Sequence, residues 1–287
     1  MVDKISVRYL IFILIFISCS KVLRGPAQLK QKHIVFDLDH TLVAEIEEGE
    51  TFNPKRTITI QGIHYRIIPY AQELITELSK REDVSISFFS GGSEDRNLEL
   101  LKSLKLSDGS DKSFHDISYR ILSKRHLYDN RKNVPEDSRF VHKWKKDISL
   151  VSDDLDSIIL VDDHKDFYYQ GQKNNTAWLG EWFNNFESYS DVEDYRKRIG
   201  DAKGFRLPPS YKDWWMNRNK LALVGSAIEE ALDNDEVFVE SMRIHLKHLD
   251  EQRSGSLENL KDRVHTFGIR FAPESCSSAL GSFLQIR

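Results

Sequence analysis

Apolar residues along much of this chain follow two rhythms. Short runs bounded by turn-forming residues alternate with stretches where apolar side chains recur every three or four positions, the marks of buried strands and of helices with one buried face. Ile34, Val35 and Phe36 form the first run, and Val84–Phe89, Ile117–Leu122, Ser157–Val161 and Asn175–Leu179 predict further strands. Arg56–Ile60 and Ile63–Ile67 alternate polar and apolar positions on either side of Gln61-Gly62, which predicts a β-hairpin with a two-residue turn. Pro69 opens a helix running to about Lys80, with Ala71, Leu74, Ile75 and Leu78 on one face, and Glu94–Leu104 forms another with Leu98, Leu101 and Leu104. The acidic stretch Glu45–Glu50 reads as a solvated loop. Strands alternating with helices predict an α/β fold, a doubly wound parallel sheet.

Gly204–Tyr211, with Pro208-Pro209, interrupts the alternation and marks a boundary. Beyond it, Trp214–Leu232 and Val237–Gln252 predict helices, and the tail from Ala272 has no clear pattern. The opening residues differ in character. Lys4 and Arg8 precede the uncharged run Tyr9–Ser20, and charge resumes at Lys21. That run is shorter than the ~20 apolar residues a membrane-spanning helix needs, and has the size and flanks of a signal peptide's apolar region. Phe16-Ile17-Ser18-Cys19 resembles a bacterial lipoprotein processing site, which implies cleavage before Cys19 and lipidation of its thiol. The expected organisation is a signal, lipoprotein-type or membrane-anchor segment (1–20), a linker (21–31), an α/β domain (32–204) and a helical extension (205–287). Export or membrane association through the first segment is the leading expectation, and a soluble cytoplasmic protein the alternative.

Composition narrows the function little. A net charge of -4 and a pI near 6.2 offer no global attraction for nucleic acid. Two cysteines, Cys19 and Cys276, cannot build a disulfide framework or a zinc site. Nothing in the chain indicates an oligomeric state.

The chemistry lies where the strands end. Asp37 and Asp39 follow Phe36, and the period of two sets both carboxylates on one side. Carboxylates so close repel unless a cation or a shared proton intervenes, so the pair points to a metal, an acid–base couple, or both. Ser90 ends the second strand before Gly91-Gly92, where a hydroxyl and backbone N–H groups can face an anion. Lys146 stands about ten residues before the Ser157 strand, which itself ends in Asp162-Asp163, hard oxygen donors suited to magnesium.

In this order, Phe-Asp-Leu-Asp-His-Thr-Leu-Val, Phe-Phe-Ser-Gly-Gly, Lys-Asp-Ile-Ser-Leu and Ile-Leu-Val-Asp-Asp resemble the four motifs of the haloacid dehalogenase superfamily of phosphotransferases. Their details are similar to the branch that holds the RNA polymerase II carboxy-terminal-domain phosphatases and the NLI-interacting-factor-like phosphatases, over roughly Lys32–Ser190. The resemblance implies a Rossmann-like doubly wound sheet with a β-hairpin flap, no large cap domain and a helical carboxy-terminal appendage. It implies Asp37 as nucleophile, Asp39 as general acid and then base, and Ser90, Gly91 and Lys146 around the transferring phosphoryl group. Thr41 would steady the first loop. Mg2+ would be held by Asp37, the Asp39 carbonyl and Asp163, with Asp162 as a ligand or its neighbour.

About fifty residues separate Asp39 from Ser90, too few for an independent lid. An uncapped site suits a macromolecule that covers it, so a phosphorylated protein or peptide is the expected substrate and partner. The basic stretch Lys124–Lys146 reads either as an attractor of acidic segments or as a solvated face. An exported phosphatase acting on small phosphomonoesters and a non-catalytic docking module are the alternatives. Ser107–Val141 is longer and more basic than the resemblance leads one to expect, and Ile68 stands where relatives often carry Arg.

Overall fold

The computed structural model describes residues 30–199, 205–234 and 237–271. The amino-terminal segment expected to direct export lies outside the described residues, as does the tail from Ala272. The described residues from Gln31 onward belong to one compact unit. No helix among the described residues is long and apolar enough to cross a membrane.

The first half of the chain forms β1 (Lys32–Phe36), β2 (Val43–Glu45), β3 (Thr57–Ile60), β4 (Ile63–Ile67), α1 (Ala71–Ser79), β5 (Val84–Phe89), α2 (Glu94–Ser103) and β6 (Ser118–Leu122). Next come β7 (Tyr128–Asp129), α3 (Phe140–Lys143), β8 (Trp144–Lys145), β9 (Ile158–Asp162) and β10 (Thr176–Trp178). Five helices complete it with α4 (Tyr189–Ile199), α5 (Tyr211–Arg218), α6 (Lys220–Leu232), α7 (Phe238–Ser254) and α8 (Leu257–Phe271), α3 being a single turn.

Strands β10, β9, β1, β5 and β6 lie side by side in that order, all parallel. β1 is central because it is buried on both faces, as its unbroken apolar run requires. Ile34 and Phe36 enter one core and Val35 the other. β9 divides the same way, Ile159 and Val161 against Ile158 and Leu160. The chain moves outward from β1 through β5 to β6, then returns to place β9 on the opposite side. This reversal opens a crevice at the carboxyl ends of β1, β5 and β9, the usual ligand site of such sheets.

The flap is an antiparallel sheet in the order β2-β4-β3. Gln61 (φ 51°) and Gly62 (φ 81°) form its two-residue turn, and two positive φ values match the twist of the flanking strands. One expectation fails here. Glu50 is not solvated but buried, 2.8 Å from the equally buried Arg66 of β4. Its other oxygen accepts from the Asn184 side chain at 3.0 Å and the Asn185 backbone at 2.8 Å. A buried carboxylate persists only when paired and hydrogen-bonded in this way, and this one joins the flap loop to the segment after β10.

The carboxy-terminal helices share the main core. Leu221, Leu223, Val224 and Ile228 of α6 pack in the same cluster as Leu74 and Ile75 of α1 and Phe36 of β1. α6 is apolar nearly all round, as a helix enclosed by other elements must be. The single helix expected over Trp214–Leu232 is two helices, because Asn219 leaves the helical conformation (φ -106°, ψ 13°) and bonds its side chain to the Trp215 carbonyl at 2.8 Å. Gly225 lets α6 and α8 meet. A Cβ there would lie 2.8 Å from the buried Phe267 ring and 3.1 Å from Leu74. Gly225→Val is therefore expected to cost about 1–3 kcal/mol through overpacking, measurable as a lower midpoint in urea unfolding.

Candidate active site

Asp37 continues β1 by one residue, its N–H donating to the Val161 carbonyl of β9 at 2.9 Å. The loop that follows is held by its backbone. The Leu38 carbonyl accepts from the N–H groups of Thr41, Leu42 and Val43 at 3.3, 2.9 and 3.0 Å. The Thr41 hydroxyl, expected to steady this loop, is buried without a hydrogen-bond partner.

Lys146 is wholly buried, and its Nζ donates to Asp37 at 2.5 Å and Asp162 at 2.7 Å. Burial opposes its charge, but the two carboxylates outweigh that and hold the ammonium protonated, its pKa raised. Asp162 is fully engaged, since its second oxygen accepts from the His164 N–H at 2.7 Å. Asp163 differs. It is buried, and its Oδ2 has no hydrogen-bond partner. Burial first, and then the neighbouring Asp162, push its carboxyl up to about 7. Asp37 is likewise raised by burial, with Asp162, Asp163 and Asp39 adding to the effect against Lys146.

Oxygens of Asp37, Asp162 and Asp163 lie within 4.8 Å of one another. A crowded carboxylate set with one orphaned oxygen fits a divalent cation, which would remove the repulsion and partner that oxygen. Because both oxygens of Asp162 are already bonded, Asp37 and Asp163 are the better side-chain donors, and Asp162 serves to orient Lys146.

Asp39 lies on the same pocket as Asp37. Its carboxylate accepts from the Ser90 hydroxyl at 3.1 Å and from both terminal nitrogens of Arg96, on α2. Tyr65 of the flap lies 4.9 Å from that guanidinium. Ser90 is buried and also accepts from the Gly92 N–H at 3.0 Å. A Cβ on Gly91 would come within 3.1 Å of the Phe140 ring, and one on Gly92 within 2.7 Å of Asn97. These glycines thus permit a close turn beneath the pocket.

The pocket itself measures about 390 Å³ and is lined by Asp37, Asp39, His40, Gly91, Arg139, Phe140, His164 and Phe167, among others. A second, of about 90 Å³, adjoins it through Arg139, Asp163 and His164 and adds Trp178, Trp182 and Arg206. A larger cavity of about 490 Å³ beside Tyr128 and Lys145 lies away from these acids. Chemistry favours the smaller one.

The basic stretch is not a uniform face. Arg125 pairs with Glu94 at 2.8 Å, Arg131 with Asp129 at 2.7 Å, and the Lys145 ammonium donates to the Asp166 carbonyl at 2.5 Å. Arg139 is the member that lines the pocket, and the described residues include no ion pair to it.

Sequence reasoning brings forward Asp37, Asp39, Ser90, Lys146, Asp162 and Asp163, and the structure gathers them at one end of the sheet. Arg96, His40 and Lys220 were missed. Arg96 reads as one polar residue on an amphipathic helix. Trp182 stacks on His40 with ring centroids 4.5 Å apart. The signal at Lys220 is a cation set directly before the apolar run Leu221–Val224.

No curated protein matches the chain. Among the solved structures similar to it are two at 14% identity. One is Fcp1, an essential RNA polymerase II CTD phosphatase, with 82% of this chain and 65% of that one covered at a TM-score of 0.37. The other is a fission yeast Fcp1 variant bound to beryllium fluoride, with 84% and 67% covered at a TM-score of 0.36. The chain thus spans about two thirds of the length of each. Residues 32–199 match the family described as NLI interacting factor-like phosphatase, a span that runs from β1 to the end of α4 and covers over half of the sequence. The chain belongs to the NLI interacting factor-like phosphatase family.

Proposed function

We propose that this protein hydrolyses phosphomonoesters through an aspartyl-phosphate formed on Asp37, and that its substrate is a phosphorylated protein or peptide. The observation that carries the reading is the placement of Asp37, on the pocket wall with Lys146 bonded behind it and the unpartnered Asp163 oxygen nearby. An Asp37 oxygen attacks phosphorus as the bond to the leaving oxygen breaks, and Asp39 delivers a proton to that oxygen. Water then attacks the same phosphorus, gives its proton to Asp39, and frees inorganic phosphate and the Asp37 carboxylate. Lys146, bonded to Asp37 and Asp162, steadies the nucleophile and offsets its charge. Asp37, Asp163 and the Asp39 carbonyl would hold a Mg2+ ion, which would supply charge neutralisation between an anionic nucleophile and an anionic phosphate.

The form of the pocket supports a macromolecular substrate. Between Asp39 and Ser90 the chain holds only the flap strands, a short 3-10 turn, α1 and β5, so nothing there closes over a small molecule. Arg139, exposed on the rim beside the half-exposed Phe140, offers charge and an apolar surface to residues flanking a phosphate. Residues 1–20 would, on this reading, direct the protein out of the cytoplasm or anchor it.

The test compares an aryl phosphate with a panel of phosphopeptides, with Mg2+ and after EDTA treatment. EDTA is expected to abolish turnover, by about 100-fold or more, and Mg2+ to restore it. Preference for certain peptides supports a protein phosphatase. Equal turnover of small phosphomonoesters and peptides would indicate the exported scavenging enzyme instead. A folded, Mg2+-supplied protein that turns over nothing would be a docking module.

A further inference from the structure

Lys220 is the first residue of α6 and is buried, 3% exposed. Local physics argues against a cation there. A helix amino terminus carries partial positive charge, and the next four residues, Leu221–Val224, are wholly buried apolar side chains. Burial pulls its pKa down to about 8, against the attraction of Asp163 and Asp37. An apolar residue would suit the helix better, so the reason for a lysine lies in what its ammonium touches.

It touches the nucleophile loop. The Lys220 Nζ donates to the backbone carbonyl of His40, the residue immediately after Asp39. His40 is one of three described non-glycine residues with positive φ, at 56°, a left-handed conformation that is uncommon for a residue with a Cβ, although histidine takes it more readily than most. Beside the backbone bonds to Leu38 that hold the loop, two contacts act on His40 itself. The ring stacks on Trp182, with planes 18° apart, and the carbonyl is tied to Lys220. Released, that carbonyl would be free to turn as His40 relaxed to an ordinary conformation, and the direction of Asp39 would change with it.

We propose that Lys220 is a positioning residue of this active site, pinning the His40 carbonyl so that Asp39 faces the pocket while adding positive charge beside Asp163 and Asp37. The inference rests on the phosphatase reading and extends it beyond the family match, which ends at residue 199. On this view the carboxy-terminal helices belong to the catalytic apparatus, and a chain ending before α6 would hold its acids without holding them in place.

The experiment uses the full chain, para-nitrophenyl phosphate and Mg2+, with Lys220→Met and Lys220→Arg measured beside wild type for kcat, KM and thermal unfolding. Lys220→Met removes charge and donor while filling the same apolar space. Its kcat is expected to fall about 10- to 100-fold, the scale of a misplaced catalytic group. KM should stay within about threefold and the unfolding temperature should not drop. Lys220→Arg keeps both charge and donor and is expected to recover most of the loss. A Lys220→Met enzyme within twofold of wild type would overturn the proposal, as would parallel losses of kcat and unfolding temperature. Equal loss in both variants, each as stable as wild type, also overturns it. If Lys220→Arg does not fold, the kcat–KM split and unfolding temperature of Lys220→Met decide alone. An inactive wild type removes the phosphatase reading and this inference together, whereas an active wild type with an unaffected Lys220→Met removes this inference only.

Discussion

Asp37→Asn is expected to abolish turnover, by about 10,000-fold or more, while leaving the fold at least as stable as wild type. The loss follows from deleting the attacking oxygen, and removal of an enzyme nucleophile has effects on this order. The stability argument is separate and rests on the crowding of the site. Asp37, Asp162 and Asp163 are buried within a few ångströms of one another, and burial together with the other carboxylates raises the pKa of Asp37. An amide of the same shape removes one of the repelling charges, while Lys146 keeps its 2.7 Å bond to Asp162. Measured without added metal, the urea midpoint of Asp37→Asn should equal or exceed that of wild type. Substantial turnover by the folded variant would refute the aspartyl-phosphate scheme.

The largest stability effect is expected at Lys146. Replacing it with Met leaves Asp37 and Asp162 buried with no cation between them. Removing one partner of a buried ion pair costs about 3–5 kcal/mol, mostly for the charge left behind. The gap between Lys146→Met and wild type should narrow in acid, and the sign can be worked out. A carboxyl whose folded pKa is raised binds more protons folded than unfolded, so its stability contribution falls as pH rises through that interval. In Lys146→Met the Asp37 carboxyl, already raised by burial and now without its cation, gains its proton as pH is lowered, which relieves the uncompensated charge. Urea unfolding at pH 5 and pH 7.5 reads this directly. A deficit that is small, or that does not shrink in acid, would show that Lys146 does not neutralise these carboxylates.

The two substitutions probe different faces of one arrangement. Asp37 is the group that reacts, and Lys146 is the charge that allows it to be buried where it can react. Stability and chemistry draw here on the same ammonium, so a variant at Lys146 is a poor probe of catalysis alone. Lys220 is the better one, because its helix would accept an apolar residue.

Much of this was legible along the chain. The apolar run Ile34–Phe36, the acids at every second position after it, and the apolar runs before Ser90 and Asp162 are local patterns. A strand's period of two and burial on both faces leave such marks in adjacent residues. The Gln61-Gly62 hairpin is equally local, since its turn demands particular residues at two positions. What the chain alone could not show is which polar residues would be enclosed, and against what. Glu50 sat in an acidic stretch and read as solvated until Arg66, Asn184 and Asn185 surrounded it. Arg96 was an ordinary helix residue until α2 set it over Asp39. Asp162 could be a ligand or a ligand's neighbour until Lys146 and the His164 N–H took both its oxygens, while the Asp163 Oδ2 was left without a hydrogen bond. Lys220 lies 180 positions from the carbonyl it holds. Periodicity records which side of an element is buried, whereas the identity of the group across from a buried charge depends on how distant elements pack, and only the tertiary structure decides that.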